Sequence, residues 1–396
     1  MAEFPLRNTS IVCLAAEDWW YHPPRSRRRL MEVFARYNRV LFVNSIGMRL
    51  PSLSHPDFLR RVGNKLRSYG RFVRRVEPSL YVFSPIAIPF FGSRAIRRLN
   101  ALLLRAQVGG VLRALGMYQP ILWIALPTYT DLMGKFGARL TVFQVTDKYD
   151  AYGEVRNAYI SQAFDLLARQ CDVVLASSRR LYDLLRPLNG STYRISHGVD
   201  YDHFAQAQQA DLEPSDDLRT IAPPRLGFIG SLDQVVDHNL LRYVAQRRPD
   251  WQIVLIGSYS GEADELLSLP NIHFLGPRDY RLVPAYLKSF DVCLMPWKQD
   301  EWIAHCNPIK TKEYLAARRQ VVTMHYDEVA ECRQWVWVAR SHEEFLAALE
   351  AIVDRGERKD LASAQEWLRA STWEAQAVRV AEILARRLAE KAAAAR

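Results

Sequence analysis

The sequence predicts an α/β protein of two doubly wound domains, and three observations lead to this prediction. The chain has 396 residues, the length of two domains of ordinary size. Short β-branched or aromatic runs alternate with longer helical patterns, and this alternation stops at a polar segment and then starts again. Because strands that alternate with helices favour a parallel sheet with helices on both faces, we expect each half to build its own core.

The first half carries short strand patterns that are bounded by polar or turn residues. The predicted strands are residues 11–15, 40–44, 80–83, 121–125, 140–145 and 172–176. The predicted helices include residues 27–35, 94–115 and 155–169. Together they define a Rossmann-like domain over residues 1–205.

A polar segment without a strand pattern follows, so residues 206–220 are predicted to be a linker. The second set of strands is predicted at residues 225–229, 251–256, 271–275, 291–295 and 320–323. Helices are predicted at residues 239–245, 283–289 and 309–317. These elements define a second Rossmann-like domain over residues 221–370. After residue 343 the pattern is nearly all helical, and residues 371–396 are predicted to form a C-terminal helix, 374–390, with a frayed tail.

The composition is that of a globular protein, with 49% apolar and 24% charged residues, but the net charge is +10. Residues 49–75 contain eight basic residues and one acid, and residues 94–113 contain five arginines and no acid. Such clusters suit phosphate, nucleic acid or an anionic membrane.

The cysteines are few and widely spaced, and no C-x-x-C pair indicates a zinc site. Cys13, Cys171 and Cys293 lie in or beside apolar runs and are predicted to be buried thiols, which fits a reducing compartment. No signal peptide and no apolar run of membrane-spanning length is evident, so we expect a cytoplasmic protein.

Residues 55–75 mix apolar and basic side chains at helical spacing, as in an amphipathic helix at a membrane surface. The apolar, aromatic segment 85–92 follows. Together they predict contact with an anionic membrane surface. The alternative is a helix packed on its domain with a solvated basic face.

Three strand ends carry residues that suit nucleotide or sugar chemistry. Gly230 and Ser231 follow a strand and precede a helix, where backbone N–H groups can approach an anion. Asn307 and Pro308 are predicted to cap and open a helix on which Lys310 and Glu313 share one face.

Lys310 is placed to hold a diphosphate and Glu313 to accept two ribose hydroxyls. The alternative is an exposed Lys–Glu pair on an ordinary helix. Asp147 follows the strand 140–145 and is a candidate general base, with a helix-capping role as its alternative.

Two further segments are candidates for the acceptor side. His197 lies in the turn 194–204, although a structural histidine is at least as common there. The loop 17–28 combines aromatic, basic and polar side chains that suit sugar stacking and phosphate contact. Its candidates are Asp18, Trp19, His22 and Arg25.

The order of these motifs resembles the GT-B glycosyltransferases over nearly the whole chain. Residues 196–200 with Phe204 resemble the stretch that ends their N-terminal domain. Residues 307–316 resemble their donor helix, S-P-x-K-x-x-E-Y-x-A, and include Thr311. Gly230-Ser231 resembles their phosphate loop, and residues 371–373 resemble the turn into a last helix that crosses back to the first domain. The resemblance implies an acceptor-binding N-terminal domain and a nucleotide-sugar-binding C-terminal domain that face a cleft.

A more distant resemblance is to the membrane-associated xanthan glucuronosyltransferase, an inverting enzyme that uses a UDP-sugar. It implies Asp147 as the catalytic base, Lys310 at the donor phosphates and Trp297 near the nucleotide. Retaining GT-B enzymes often carry E-x7-E with its second acid at the position of Glu313. This chain has His305 at the first position, which favours inversion, and Glu301 substitutes only if the loop is shifted.

The resemblance therefore implies a glycosyltransferase of bacterial-type polysaccharide or exopolysaccharide synthesis. Its donor is a UDP-sugar, its acceptor is lipid-diphosphate-linked or a saccharide, and it needs no metal or other cofactor. We expect it on the cytoplasmic face of the inner membrane, without a nucleic acid partner. The alternatives are a sugar-nucleotide epimerase on the same fold and, from charge alone, a nucleic-acid-binding protein. UDP is favoured over GDP by the resemblance alone.

Overall fold

A computed structural model gives the structure of the protein. It describes residues 3–21, 24–46, 63, 67–68, 70–88, 93–148, 158–259 and 264–394. The chain divides into two compact units. The first domain comprises residues 1–196 with 373–396, and the second domain comprises residues 197–372.

The first domain is built around one mostly parallel sheet. Its strands are β1 (Ser10–Leu14), β2 (Arg39–Val43), β3 (Val73–Glu77), β4 (Leu80–Phe83), β5 (Ile121–Ile124), β6 (Leu140–Val145), β7 (Val173–Ala176) and β8 (Thr192–Arg194). Its first helices are α1 (Ser26–Ala35), α2 (Arg94–Ala114), α3 (Ala158–Gln170) and α4 (Arg179–Leu185). The strand order is β3-β4-β2-β1-β5-β6-β7-β8, and among the described strands only β3 runs antiparallel to its neighbour.

The second domain repeats this architecture with a parallel sheet. Its strands are β9 (Arg225–Ile229), β10 (Gln252–Ile256), β11 (Ile272–Gly276), β12 (Val292–Met295), β13 (Gln320–Met324) and β14 (Trp337–Ala339). Its helices are α5 (Tyr201–Ala205), α6 (His238–Arg247), α7 (Asp264–Leu267), α8 (Val283–Lys288), α9 (Glu301–His305), α10 (Ile309–Ala316), α11 (His342–Val353) and α12 (Ala362–Arg369). The strand order is β11-β10-β9-β12-β13-β14.

The central strands are rich in apolar and β-branched residues, which is the pattern of strands buried on both faces. Every residue of β5, β6 and β7 is buried, as is every residue of β12 and β13. In each sheet the chain adds strands first towards one edge and then towards the other. This reversal point lies between β1 and β5 in the first sheet and between β9 and β12 in the second. Ligands of such sheets bind outside the carboxyl ends of the strands at these reversal points.

The last helix, α13 (Trp373–Ala394), belongs to the first domain. It packs against α1, where Arg36 and Glu374 form an exposed ion pair at 3.1 Å. Near its other end, Lys391 pairs with Asp172 at 2.8 Å. The predicted C-terminal helix is therefore confirmed, and it starts one residue earlier and runs further than predicted.

The predicted strands are all present, with ends that differ by at most one residue, but β3, β8 and β14 were not predicted. The strands β8 and β14 are three residues long, too short to show an alternation. The strand β3 overlaps the last three residues of the predicted helix 55–75, so the prediction is wrong at that end. Residues 63, 67, 68 and 70 of that segment are helical, and the remainder of 55–69 lies outside the described residues, as do residues 89–92.

The predicted domain boundary needs a correction. The second domain begins at His197, earlier than the predicted end of the first domain at 205. Residues 206–220 do not form a free linker, because Ala207 and Leu218 are buried in the second domain's core. Lys288 also donates hydrogen bonds to the carbonyls of residues 209, 210 and 212. The segment is polar because its side chains face solvent, whereas its backbone is held.

Among the described residues, no helix combines the length and the apolar character needed to span a bilayer.

Candidate donor and catalytic sites

The loops after β9 and β10 meet at the reversal point of the second domain. The Gly230 N–H donates to the Ile256 carbonyl at 2.8 Å, and Ser258 Oγ lies 2.9 Å from Ser231 Oγ. Gly257 has a φ of +149°, and a Cβ there would lie 1.8 Å from the Gly230 carbonyl oxygen. Only glycine allows this approach, which holds the Gly230-Ser231 loop in place.

The sequence analysis identified Gly230 and Ser231 but missed Gly257 and Ser258. A signal for them was present, because Ile229-Gly230-Ser231 is repeated as Ile256-Gly257-Ser258 at the end of the next strand. Two neighbouring parallel strands that end in the same tripeptide place both serines at one edge of the sheet. Ser231 is exposed there, as a ligand-binding hydroxyl must be.

Trp297 follows β12, on the other side of the reversal point. It is 8% exposed and packs edge-to-face on Phe228, with ring centroids 5.9 Å apart. Its indole N–H is buried without a hydrogen-bond acceptor among the described residues. Because a buried donor without a partner costs free energy, this N–H is a position at which a ligand oxygen would be stabilising.

The donor helix, α10, begins at Ile309 with Pro308 as its N-cap. This corrects the prediction that Asn307 is the cap and Pro308 the first helical residue; Asn307 precedes the cap and is buried. Pro308 has φ −65° and ψ 114°, an extended conformation that ends the preceding loop. The N–H groups of the first turn point towards this loop, where they favour an anion.

Lys310 and Glu313 form an ion pair across the first turn of α10, with Lys310 Nζ 2.6 Å from Glu313 Oε2. The lysine side chain is 26% exposed and the glutamate 8%. Tyr314, from the same helix, accepts a hydrogen bond from the Ile229 N–H at 2.9 Å, and burial raises the pKa of its hydroxyl well above the ordinary value. This contact fixes the Lys310–Glu313 pair beside the end of β9.

Thr311 does not face a ligand with its side chain, which corrects its assignment to the donor site. It is 2% exposed, and its hydroxyl lies 2.6 Å from the Tyr326 hydroxyl and 3.2 Å from the Met295 sulfur. The hydroxyl therefore packs α10 onto the sheet.

His197 belongs to the second domain, not to the acceptor-side loop cluster of the first. Its carbonyl accepts a hydrogen bond from Lys312 Nζ, which ties residues 197–199 to α10. Val199 N donates to the Ser371 carbonyl at 3.0 Å, so the first and last segments of the second domain lie side by side. The turn around Gly198 is thus part of the support of the donor helix.

His305 and Glu301 both lie on the short helix α9. Asp300 caps this helix by accepting from the Ile303 N–H at 2.8 Å. His305 Nδ1 lies 2.8 Å from the Glu301 carbonyl, and the Glu301 side chain is exposed at the helix start.

In the first domain, Asp147 follows β6 and is half-buried. The Thr146 hydroxyl donates to Asp147 Oδ2 at 2.8 Å. The same hydroxyl accepts from the Arg27 guanidinium at 3.4 Å, and Arg27 Nε lies 3.2 Å from Glu17 Oε2. A chain of polar contacts therefore runs from the end of β1 to Asp147.

Glu17 and Arg27 are a buried ion pair, with side chains 2% and 7% exposed. The sequence analysis assigned neither of them, since their pairing joins the loop after β1 to α1. The pair orients the Thr146 hydroxyl, and that hydroxyl in turn fixes one oxygen of Asp147. The other oxygen of the carboxylate is the one suited to accept a proton.

Two of the loop's acceptor-side candidates serve the fold instead. Asp18 is 7% exposed and accepts from the Ser68 hydroxyl at 2.8 Å and from the Trp20 N–H at 3.0 Å. Trp19 is 6% exposed and packs on Phe42. Both residues were predicted to face a ligand because the loop is polar and aromatic, but the polar atoms close the loop on itself.

Arg25 is exposed immediately before α1, and His22 lies outside the described residues. Trp20, which was not among the candidates, is half-buried under the Arg71 guanidinium, 4.5 Å from its ring centroid.

The predicted buried thiols are confirmed: Cys13, Cys171 and Cys293 are unpaired and buried. Burial raises the pKa of Cys13 and Cys293, and raises that of Cys171 to about 12. Within the described part of the chain, no group of three or more His, Cys, Asp or Glu side chains is arranged to hold a metal ion.

Two Rossmann-like domains, with a lysine-bearing helix start and paired glycine loops at the reversal point of the second, define the GT-B class of sugar-transferring enzymes. Residues 223–355 match the family model described as Glycosyl transferases group 1. The protein has the GT-B fold, and its second domain carries the group 1 glycosyl transferase sequence.

The chain is similar to proteins from several bacteria. It is 26% identical over 277 residues to Bacillus subtilis TuaH, which bears the name of a teichuronic acid biosynthesis glycosyltransferase; the match covers 62% of this chain and 68% of TuaH. Sucrose-phosphate synthase from Thermosynechococcus elongatus has the same fold, with a TM-score of 0.71 and 15% identity, over 97% of this chain and all of that one. Anabaena Alr3699/HepE in complex with UDP-glucose has a TM-score of 0.63 and 14% identity, and the match covers 98% of this chain and all of that one.

Proposed function

We propose that this enzyme transfers a sugar from a UDP-linked donor to a lipid-diphosphate-linked or saccharide acceptor in bacterial-type polysaccharide synthesis. The UDP and UDP-glucose complexes of Anabaena HepE and the name of TuaH support the donor and the pathway class. We further propose inversion at the anomeric carbon, with Asp147 as the base and no metal ion required.

The observation that carries the donor proposal is the Lys310–Glu313 pair at the start of α10, fixed beside Gly230 by Tyr314. When a nucleoside diphosphate binds, Lys310 exchanges part of its contact with Glu313 for the diphosphate oxygens. The released carboxylate oxygen then accepts a ribose hydroxyl. The helix N-terminus adds donors near the same anion.

In the proposed reaction, the acceptor hydroxyl oxygen attacks the anomeric carbon and the bond from that carbon to the UDP oxygen breaks. The hydroxyl proton passes to Asp147, and UDP leaves with the negative charge. Lys310 stabilises this charge as it develops. The Thr146 hydroxyl keeps Asp147 oriented throughout, so Asp147 is the catalytic residue and Thr146 a positioning residue.

The test combines binding, turnover and stereochemistry. We expect UDP at a hundred times its dissociation constant to stabilise the protein by about 2.7 kcal/mol in a thermal-shift assay. Lys310→Gln should lose this shift, whereas Lys391→Gln, which alters another carboxylate-paired lysine, should keep it. Asp147→Asn should bind UDP normally and transfer no sugar.

Proton NMR of the first-formed product reads the anomeric configuration, and retained configuration would overturn the inverting assignment. Normal turnover by Asp147→Asn would overturn its role as base. Activity that disappears in EDTA and returns with Mg²⁺ or Mn²⁺ would overturn the metal-independent reaction.

We also propose that the first domain rests on the anionic cytoplasmic face of the inner membrane. On α2, Leu99, Leu102 and Leu103 are 45%, 64% and 37% exposed and share a face at steps of three and four residues. Arg98 and Arg105 are exposed on the same helix. Exposed leucines beside arginines suit an anionic lipid surface.

The neighbouring segment 84–88 extends this surface. Gln107 of α2 exchanges two hydrogen bonds with the Ile86 backbone, at 2.9 and 2.8 Å, and Asn100 does the same for Ile88, at 2.8 Å each. The side chains of Ile86 and Ile88 are 56% and 38% exposed. The amide contacts hold two apolar side chains outwards on the same part of the domain.

A further inference from the structure

A groove of about 660 Å³ lies in the first domain between the edge strand β8 and the C-terminal helix α13. This volume is within the range of small-ligand sites. The groove shares no lining residue with the Asp147–Thr146–Arg27–Glu17 chain of contacts. The groove is therefore separate from the candidate catalytic residues of this domain.

The groove is strongly basic. Arg379 and Arg386 line it from α13, Arg179 from α4 and Arg194 from β8. Glu382 is the acidic residue among its described lining residues. All four arginines are exposed, and Arg179 also pairs with Asp183 at 3.3 Å.

The charges are spaced along a line. Arg379 and Arg386 are two helical turns apart on one face of α13, which separates them by about 10.5 Å along the helix axis. Two arginines at this spacing present two anion-binding groups along one line of the groove. The arrangement suits an extended ligand that carries several negative charges, because guanidinium groups bind carboxylates and phosphates in a fork geometry.

Two tyrosine rings also line the groove. Tyr193 and Tyr182 line the groove, and the Arg386 guanidinium lies 5.7 Å from the centroid of the Tyr193 ring. A tyrosine offers an apolar ring face with a polar hydroxyl at its edge. A ligand made of rings with both apolar faces and hydroxyl groups fits such a lining better than a flexible acidic peptide does.

We propose that this groove binds an acidic saccharide chain, whose carboxylate or phosphate groups contact the arginines while its sugar rings lie against Tyr182 and Tyr193. The choice of a saccharide over other ring-bearing polyanions rests on the proposed function, since a polysaccharide-synthesising enzyme holds such chains. None of the groove's lining residues belongs to α2, which separates it from the apolar and basic surface of that helix.

The probe is tetragalacturonic acid, titrated into the full-length protein by isothermal calorimetry, with neutral maltotetraose as its counterpart. We expect saturable binding of the acidic tetramer that weakens as salt rises. Arg379→Gln with Arg386→Gln should lower the affinity at least tenfold, and Tyr193→Ala should lower it through the ring contact. The matched control is Arg98→Gln with Arg105→Gln, which removes two exposed arginines at the same seven-residue spacing on α2.

Several results would overturn the proposal. Absence of binding, equal affinity for maltotetraose or equal losses in the two double variants would each do so. Displacement of the tetramer by equimolar inorganic phosphate would show a single-anion site. Loss of flotation on phosphatidylglycerol vesicles in the groove variant, with flotation kept in the α2 variant, would show that the groove is a membrane contact instead.

The thermal shift caused by UDP, recorded on the same variants, separates this proposal from the proposed function. Loss of the UDP response with tetramer binding intact contradicts the donor site alone. An intact UDP response without tetramer binding contradicts the groove alone.

Discussion

Asp147 depends on residues that its own sequence neighbourhood does not contain. Its carboxylate is oriented by Thr146, Thr146 by Arg27, and Arg27 by Glu17, and the last two are buried together. The position of Asp147 at a strand end was readable from the sequence, because an acid after a buried strand is a local pattern. The Glu17–Arg27 pair was not, since it is a contact between a loop and a helix.

The buried pair gives the residue-scale prediction. Replacing Arg27 with Met leaves the Glu17 carboxylate buried without its partner, and removal of one partner of a buried pair costs about 3–5 kcal/mol. We expect urea unfolding to show a loss of stability of that size. Adding Glu17→Gln to Arg27→Met should recover part of the loss, because the unpaired charge is then removed.

Arg36→Met is the control for this experiment. The Arg36 side chain is 54% exposed and that of its partner Glu374 is 55% exposed. Exposed ion pairs contribute about 0–1 kcal/mol to the free energy of unfolding. If Arg27→Met were as mild as Arg36→Met, the Glu17–Arg27 pair would not be what holds the chain of contacts behind Asp147.

At the scale of elements, the donor site is a junction of strand ends rather than a single motif. The segment 307–313 was predicted to bind the donor, and the structure adds how it is held: Tyr314 bonds β9, and Thr311 bonds Tyr326. The prediction placed Thr311 towards the ligand because it lies beside Lys310. Consecutive side chains of an α-helix point about 100° apart around its axis. Thr311 therefore faces the core, although it is next to Lys310.

Gly257 gives the prediction at this scale. Gly257→Ala places a Cβ 1.8 Å from the Gly230 carbonyl oxygen, at a φ of +149° that alanine rarely adopts. The two loops must separate, so we expect the Gly230-Ser231 loop to move and UDP binding to weaken at least tenfold. Calorimetric titration with UDP measures the change.

Gly110→Ala is the matched substitution for comparison. Gly110 lies in α2 with no atom within 4 Å of its would-be Cβ, and alanine is favoured over glycine in a helix by about 0.5–1 kcal/mol. It should leave UDP binding unchanged and stabilise the protein slightly. Unaltered UDP binding by Gly257→Ala would exclude the paired loops from the donor site.

At the scale of the whole molecule, alternation of strands and helices was enough to predict two Rossmann-like domains. Apolar-rich runs such as β6 and β12 are visible in one sequence because burial on both faces leaves few polar residues in them; in β6 these are Thr141 and Gln144. The domain boundary was not visible in the same way. Residues 206–220 are polar in sequence but held through backbone carbonyls and two buried side chains, which composition does not reveal.

At the scale of the first domain, two basic regions should contribute separately to membrane binding: α2 and the segment 55–75. Each arginine or lysine near an anionic surface contributes about 1 kcal/mol. Arg98→Gln with Arg105→Gln should therefore lower the partition onto phosphatidylglycerol vesicles by about 30-fold, since each 1.4 kcal/mol is tenfold. Neutralising Arg60, Arg61, Lys65 and Arg67, which the sequence alone assigns to this surface, should lower it further.

Vesicle flotation measures both effects, and the groove variant Arg379→Gln with Arg386→Gln serves as the control because it removes equal charge from a different helix, α13. That variant should float like the unaltered protein, and none of the proteins should float with neutral phosphatidylcholine vesicles. Equal flotation of all the variants would mean that neither basic region contacts lipid. Equal losses in the α2 and groove variants would mean that net charge, and not a defined face with exposed leucines, governs the binding.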